Sequence, residues 1–140
     1  MLLNLGCGAR FHAAWRNFDL VPQSTVVHAW DIKKGLPFED GAADAVYHSH
    51  LLEHFSMEDG AQFLADCYRV LKLGGVIRVA VPDLEGIARA YLTALDRAMV
   101  SAVSESEYDW MMLELFDQTV RDERGGAMAR FFADAPESVR

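Results

Sequence analysis

Apolar and polar residues alternate in short blocks through the first half of the chain and then settle into a helical rhythm. Leu2-Leu3-Asn4-Leu5 is a brief apolar run cut off by Gly6, and it predicts a first strand. Further strands are predicted over 15–20, closed by Val21-Pro22, over the β-rich 25–30, over 43–48, and over 76–81, closed by Pro82. Ser56 with Asp59 has the spacing of a helix start. Phe63, Cys67 and Val70/Leu71 then recur at helical intervals until Gly74-Gly75.

Beyond Pro82 the pattern is helical throughout. Leu84, Ile87, Ala88, Tyr91, Leu92, Leu95 and Met99 share one face. Ser104 and Glu107 suggest a second capped helix. It carries Tyr108, Met111, Met112, Leu115 and Thr119 on one side, with Leu113, Phe116 and Val120 on another. A helix apolar on several sides is rarely left in water, so its faces should meet the core or a second subunit. Gly125-Gly126 end it, and the last residues read as a short helix or a tail. The resulting fold class is α/β: a Rossmann-like, doubly wound, mostly parallel sheet of about five strands over 1–83, with a helical appendage over 84–140. The two parts are expected to make one domain overall.

Composition narrows the function. With 140 residues, 51% of them hydrophobic and 24% charged, the chain can build one ordinary core. Its formal charge of −8 argues against a surface that neutralises phosphates, so no nucleic-acid partner is expected. The apolar runs are far shorter than the roughly 20 residues that span a bilayer, so no membrane is expected either. No basic-then-apolar leader precedes the first strand, and Cys7 and Cys67 make no spaced framework; a reduced, cytoplasmic setting is the expectation.

A strand that runs straight into Gly6-Cys7-Gly8 is a place where bare backbone can approach a ligand. In open parallel sheets, ligands lie beyond the carboxyl ends of the strands. Asp19 closes the second strand, where a carboxylate can accept hydrogen bonds from two ribose hydroxyls. Asp31 closes the third and can accept one from an adenine amino group, with Ile32 covering the ring. Each acid alone reads as a solvated or capping loop residue; together with the glycine turn they describe an adenosine pocket. The dinucleotide fingerprint requires a third glycine where Phe11 stands. Asp31 does lie near the spacing of that fingerprint's acid, so a nicotinamide-dependent oxidoreductase stays open. A cofactor without a pyrophosphate has no need of the third glycine.

Four stretches in order, "LNLGCG" (3–8), "NFDL" (17–20), "DIKKGLPFEDGAADAVYHSHLLEH" (31–54) and "CYRVLKLGGVIRVAVPD" (67–83), resemble the class I S-adenosylmethionine-dependent methyltransferases, within their small-molecule methyltransferase-like group. The resemblance covers about residues 2–83. It implies S-adenosylmethionine as cofactor and S-adenosylhomocysteine as product. Gly6, Cys7 and Gly8 would turn against the methionine part, Asp19 would bind the ribose, and Asp31 with Ile32 the adenine. His48 and Ser49 would line the sulfonium end, and Leu52-Glu53-His54 would open the helix beside it. The acceptor implied is a small-molecule hydroxyl or amine.

The chain departs from the family pattern in three places that matter. Leu73 stands where a proline usually precedes Gly-Gly. The interval from Gly8 to Asp19 leaves little room for a helix, so the first crossover should be short or irregular. No strand pattern follows residue 83, where the family has two more strands; helices replace them, or the chain is a C-terminally truncated piece. A non-catalytic cofactor-binding or interaction module is therefore an alternative, with homodimerisation through 84–120 covering the exposed edge.

Methyl transfer depends on alignment more than on covalent help, with a base needed when the nucleophile is a hydroxyl. His48, His50 and His54 are the candidate bases near the sulfonium, with His50 and His54 foremost. The group His48, His50, Glu53 and His54 also has metal-like spacing if a helix starts early, but no third ligand stands out elsewhere and no metal is expected.

Overall fold

The computed structural model describes residues 1–101, 105–120 and 126–134. Five strands form the sheet: β1 (Leu2–Leu5), β2 (Arg16–Asp19), β3 (Val27–Ala29), β4 (Ala43–Ser49) and β5 (Leu71–Ala80). Their order is β3-β2-β1-β4-β5, and every neighbouring pair is parallel. The chain winds outward from β1 to β3, then returns to the other side of β1 for β4. The order therefore reverses at β1, which opens a crevice at the carboxyl ends of β1 and β4.

Helix α1 (Met57–Val70) covers one sheet face. Ser56 caps it, its Oγ accepting from the Asp59 amide at 3.1 Å. Phe63, Cys67 and Val70 on α1 pack with Leu3, Leu5, Phe18 and Val46 of the strands in one buried cluster. Burial pushes the Cys67 thiol up to about 12, so this cysteine is an inert core residue.

The helix ends four residues sooner than Gly74-Gly75 suggests. Leu71 already pairs with Ala43, and the next pairing is Val76 with Ala45. Residues 72–75 therefore loop out opposite Asp44, with Gly74 at φ +78 making the turn. The glycines shape a bulge inside β5 instead of capping α1.

The short first crossover is irregular, as its length requires, and two buried asparagines organise it. Asn4 Nδ2 donates to the Arg10 carbonyl and to Asn17 Oδ1, each at 3.0 Å. Asn17 Nδ2 donates to the carbonyls of His12 (3.0 Å) and Trp15 (2.9 Å). Side chains thus satisfy backbone groups that a helix would have paired internally.

Arg69 does the same for the loop between β3 and β4. Its guanidinium donates to the carbonyls of Leu36 and Phe38 and to the carboxylates of Asp40 and Asp66. Asp66 in turn accepts from the Leu36 amide.

Contacts divide the chain into Met1–Pro82 and Asp83–Arg140. The second unit holds α2 (Leu84–Val100), α3 (Glu105–Val120) and α4 (Gly126–Asp134). Tyr91 of α2 meets Tyr108 of α3 at 5.8 Å between ring centres, and Arg97 pairs with Glu107 at 3.0 Å. Trp110 of α3 lies 5.6 Å from Phe131 of α4. No strand follows Ala80 among the described residues. The expected cap at Ser104, the break at Gly125 and the tail at 135–140 lie outside them.

Candidate functional site at the strand tips

Gly6 and Gly8 both adopt left-handed backbone, at φ +62 and +55. At Gly6 a Cβ would also come within 2.8 Å of Leu51 Cδ1, so conformation and close packing both call for glycine. The turn is fastened to β2. The Cys7 amide donates to the Phe18 carbonyl at 3.1 Å, and the Gly8 amide to Asp19 Oδ2 at 2.8 Å. The Val21 amide donates to Asp19 Oδ1 at 3.0 Å. Asp19 is thus a latch between β1 and β2. Each of its oxygens has only one of these partners, which leaves acceptor capacity on both. Its backbone carbonyl accepts from Trp30 at 3.0 Å, tying in the exit of β3.

Asp31 follows β3 and caps a 3-10 turn at Ile32–Lys34, Oδ1 accepting from the Lys33 amide at 3.1 Å. Lys34 Nζ lies 3.8 Å from Oδ2. Ile32 packs against the core and lines a cavity of about 270 Å³ with Phe55, Asp59, Phe63 and Asp66. Gly6, Cys7, Gly8, Asp19, Asp31 and Ile32 therefore gather at the exits of three adjacent strands.

His48 does not join them. Alternation along β4 turns Val46 and His48 toward α1 and Tyr47 and Ser49 toward the opposite face. His48 is wholly buried, its ring 5.1 Å from that of Phe63, and neither ring nitrogen has a hydrogen-bond partner among the described residues. Burial pushes its pKa below the ordinary 6.5, against a smaller opposing pull from Glu53. The expectation that it lines the sulfonium end is corrected: His48 sits in the core, and Ser49 holds the strand tip.

His50 has φ +51, the one positive value at a non-glycine among the described residues. Its amide donates to the Ala80 carbonyl at 3.0 Å, and its Nδ1 lies 3.4 Å from Glu53 Oε1. The left-handed residue just after β4 thus carries an exposed imidazole whose Nδ1 faces a carboxylate. His54 ends the 3-10 turn at Leu52–His54, which starts after His50, so the two histidines do not share a helix.

Cys7 is buried, and its Sγ lies 3.7 Å from the Gly8 carbonyl, a small residue within the turn. Asn4, Asn17, Asp66 and Arg69, which brace the loops around the site, escape a reading of apolar periodicity. Their signal is a polar residue inside an apolar strand or helix face. No described helix is long and apolar enough to cross a membrane.

A family model described as "Methyltransferase domain" matches residues 11–79. A Mycolicibacterium smegmatis protein named "Probable S-adenosylmethionine-dependent methyltransferase" is 34% identical over 99 residues, 59% of this chain and 38% of that protein. The Caenorhabditis elegans protein named "Ribosomal RNA-processing protein 8" is 36% identical over 86 residues, 56% of this chain and 24% of that protein. The chain spans well under half the length of either relative.

Proposed function

Because the chain belongs to the class I S-adenosylmethionine-dependent methyltransferase family, we propose that it binds S-adenosylmethionine across the tips of β1 to β4 for methyl transfer to a small-molecule hydroxyl or amine. The observation that carries this reading is the Gly8–Asp19 latch. It places bare backbone beside a carboxylate with spare acceptor capacity, one strand from a second carboxylate, Asp31. The residues fit the adenosyl group. Gly6 leaves a cradle that a Cβ would fill, Asp19 offers acceptors to ribose hydroxyls, and Asp31 with Ile32 offers an acceptor and an apolar surface to adenine.

The cofactor supplies an electrophilic methyl group on a sulfonium. The chain's task is to bind, to orient and to take a proton. His50 is the base in this reading when the acceptor is a hydroxyl. Glu53 beside Nδ1 favours the tautomer that leaves Nε2 free to accept. His54 has no such partner among the hydrogen bonds and ion pairs of the described residues and is the weaker choice. Homodimerisation through 84–120, supported by exposed apolar residues on α2 such as Leu92 and Met99, and a cytoplasmic setting belong to the same proposal.

The name of the C. elegans relative supports a second reading, with RNA as the acceptor. The formal charge of −8 weighs against it. Calorimetry with S-adenosylmethionine, S-adenosylhomocysteine and NAD tests the cofactor: the first two should bind and NAD should not. Binding of NAD alone would return the chain to the oxidoreductase reading, and binding of none to a non-catalytic module. Transfer of labelled methyl to a metabolite panel but not to RNA is the expected outcome for the acceptor.

A further inference from the structure

On the sheet face opposite α1 lies a groove of about 550 Å³. Its floor is a row of paired residues across three strands, Asn4 of β1, Tyr47 of β4 and Arg78 of β5. Its wall is the loop at 10–15, which brings in Arg10, Phe11, His12 and Trp15. The volume lies within the roughly 300–1,000 Å³ usual for small-ligand sites.

The lining is unlike the rest of the molecule. The chain carries −8, yet among the described residues no aspartate or glutamate lines this groove, and two arginines do. The Arg78 guanidinium lies 5.4 Å from the centre of the Tyr47 ring, and Trp15 meets Tyr47 edge-on at 6.2 Å. Lys33, Lys34, Arg69, Lys72 and Arg97 all pair with carboxylates. Arg10 and Arg78, like Arg16 and Arg89 outside the groove, form no ion pair among the described residues. The wall is also preorganised, because Asn17, 0% exposed, holds the carbonyls of His12 and Trp15 from behind, while Asn4 holds that of Arg10.

We propose that this groove binds a small aromatic anion, its ring against Trp15 and Tyr47 and its carboxylate or phosphate on Arg10 and Arg78. Planar guanidinium forks and aromatic faces are the chemistry that recognises such a ligand. On the same sheet face, Asp19 and Ser49 follow two residues beyond Asn17 and Tyr47 along their strands, about 7 Å on. An occupant therefore lies alongside the strand-tip site. Its identity as the acceptor rests on the methyl-transfer reading; its binding does not.

The test is calorimetric titration of the chain with 4-hydroxybenzoate, with AMP and with neutral 4-hydroxybenzyl alcohol, repeated on Arg10→Gln and Arg78→Gln. At least one of the two anions should bind, the alcohol should bind at least about tenfold more weakly, and each variant should lose about fivefold or more in affinity. A preference for 4-hydroxybenzoate would assign a carboxylate ligand and a preference for AMP a nucleotide, either in support. Unchanged unfolding midpoints would show the variants folded, and unchanged affinity for S-adenosylhomocysteine would separate this site from the cofactor's. Anion affinity equal in the wild type and both variants, or no binding of either anion at millimolar concentration, overturns the proposal.

Discussion

Asn4 and Asn17 stand side by side on β1 and β2, the Nδ2 of the first donating to the Oδ1 of the second at 3.0 Å in a buried pair. Between them they hold three backbone carbonyls of the crossover that passes over their strands. Replacing Asn17 by alanine removes two of those bonds and leaves the Asn4 amide short of a partner. Unsatisfied buried groups cost about 1–3 kcal/mol each, so Asn17→Ala should destabilise the fold by about 3 kcal/mol in urea unfolding. A loss under about 0.5 kcal/mol would mean that water serves these groups as well as the side chain does.

Gly6 faces two separate obstacles to substitution, its φ of +62 and the Leu51 side chain. Left-handed backbone costs an alanine about 1–2 kcal/mol, and displacing Leu51 adds to it. Gly6→Ala should therefore cost about 2–3 kcal/mol, with part of the loss recovered in a Leu51→Ala background. A double-mutant cycle in urea checks this. Strictly additive effects would show that Leu51 yields without cost.

Much of this arrangement is legible in the sequence, and the boundary is physical. Glycine before a loop, carboxylates at strand exits and a β-rich run ending at Pro82 are local signals, and they put Gly6, Gly8, Asp19 and Asp31 at the strand exits where the structure has them. The reach of α1 is not local: Gly74-Gly75 look like a helix stop, but Leu71 is claimed by β4 first. His48 fails for a related reason. Its neighbours mark the end of a strand, while only the strand's pairing and pleat decide which of His48 and Ser49 faces the core. The asparagine and arginine braces are invisible to periodicity because their partners are carbonyls far along the chain.

Asp19 carries two duties that substitution can separate. As a latch it holds the Gly8 and Val21 amides; as a ribose acceptor it would use its remaining lone pairs. Hydrogen bonds to a charged group contribute about 1.5–3 kcal/mol, so Asp19→Ala should raise the Kd for S-adenosylhomocysteine about 10- to 150-fold. Asp31→Ala should raise it less, since one hydrogen bond to adenine is at stake. An Asp19→Ala protein that is less stable yet binds unchanged would leave the residue as a latch alone.

His48 makes the stability of the fold depend on pH. Burial lowers its pKa in the folded chain below the 6.5 of an exposed imidazole, and both ring nitrogens lack partners among the described residues. As pH falls through about 6.5 the unfolded chain takes up a proton that the folded chain refuses. Stability is therefore full above that pH and declines as the solution is acidified, by up to about 1.4 kcal/mol per pH unit until the folded imidazole itself titrates. His48→Leu removes the orphaned nitrogens and keeps the space filled with apolar atoms. It should leave stability at pH 7.5 unchanged or raised by about 1 kcal/mol, and it should flatten the decline between about pH 6.5 and 5. The other histidines, His12, His28, His50 and His54, are common to both proteins, so the difference between their urea midpoints across this range isolates His48. Parallel profiles would show that the folded chain protonates His48 as readily as the unfolded chain does, and that the core around Phe63 opens to solvent on acidification.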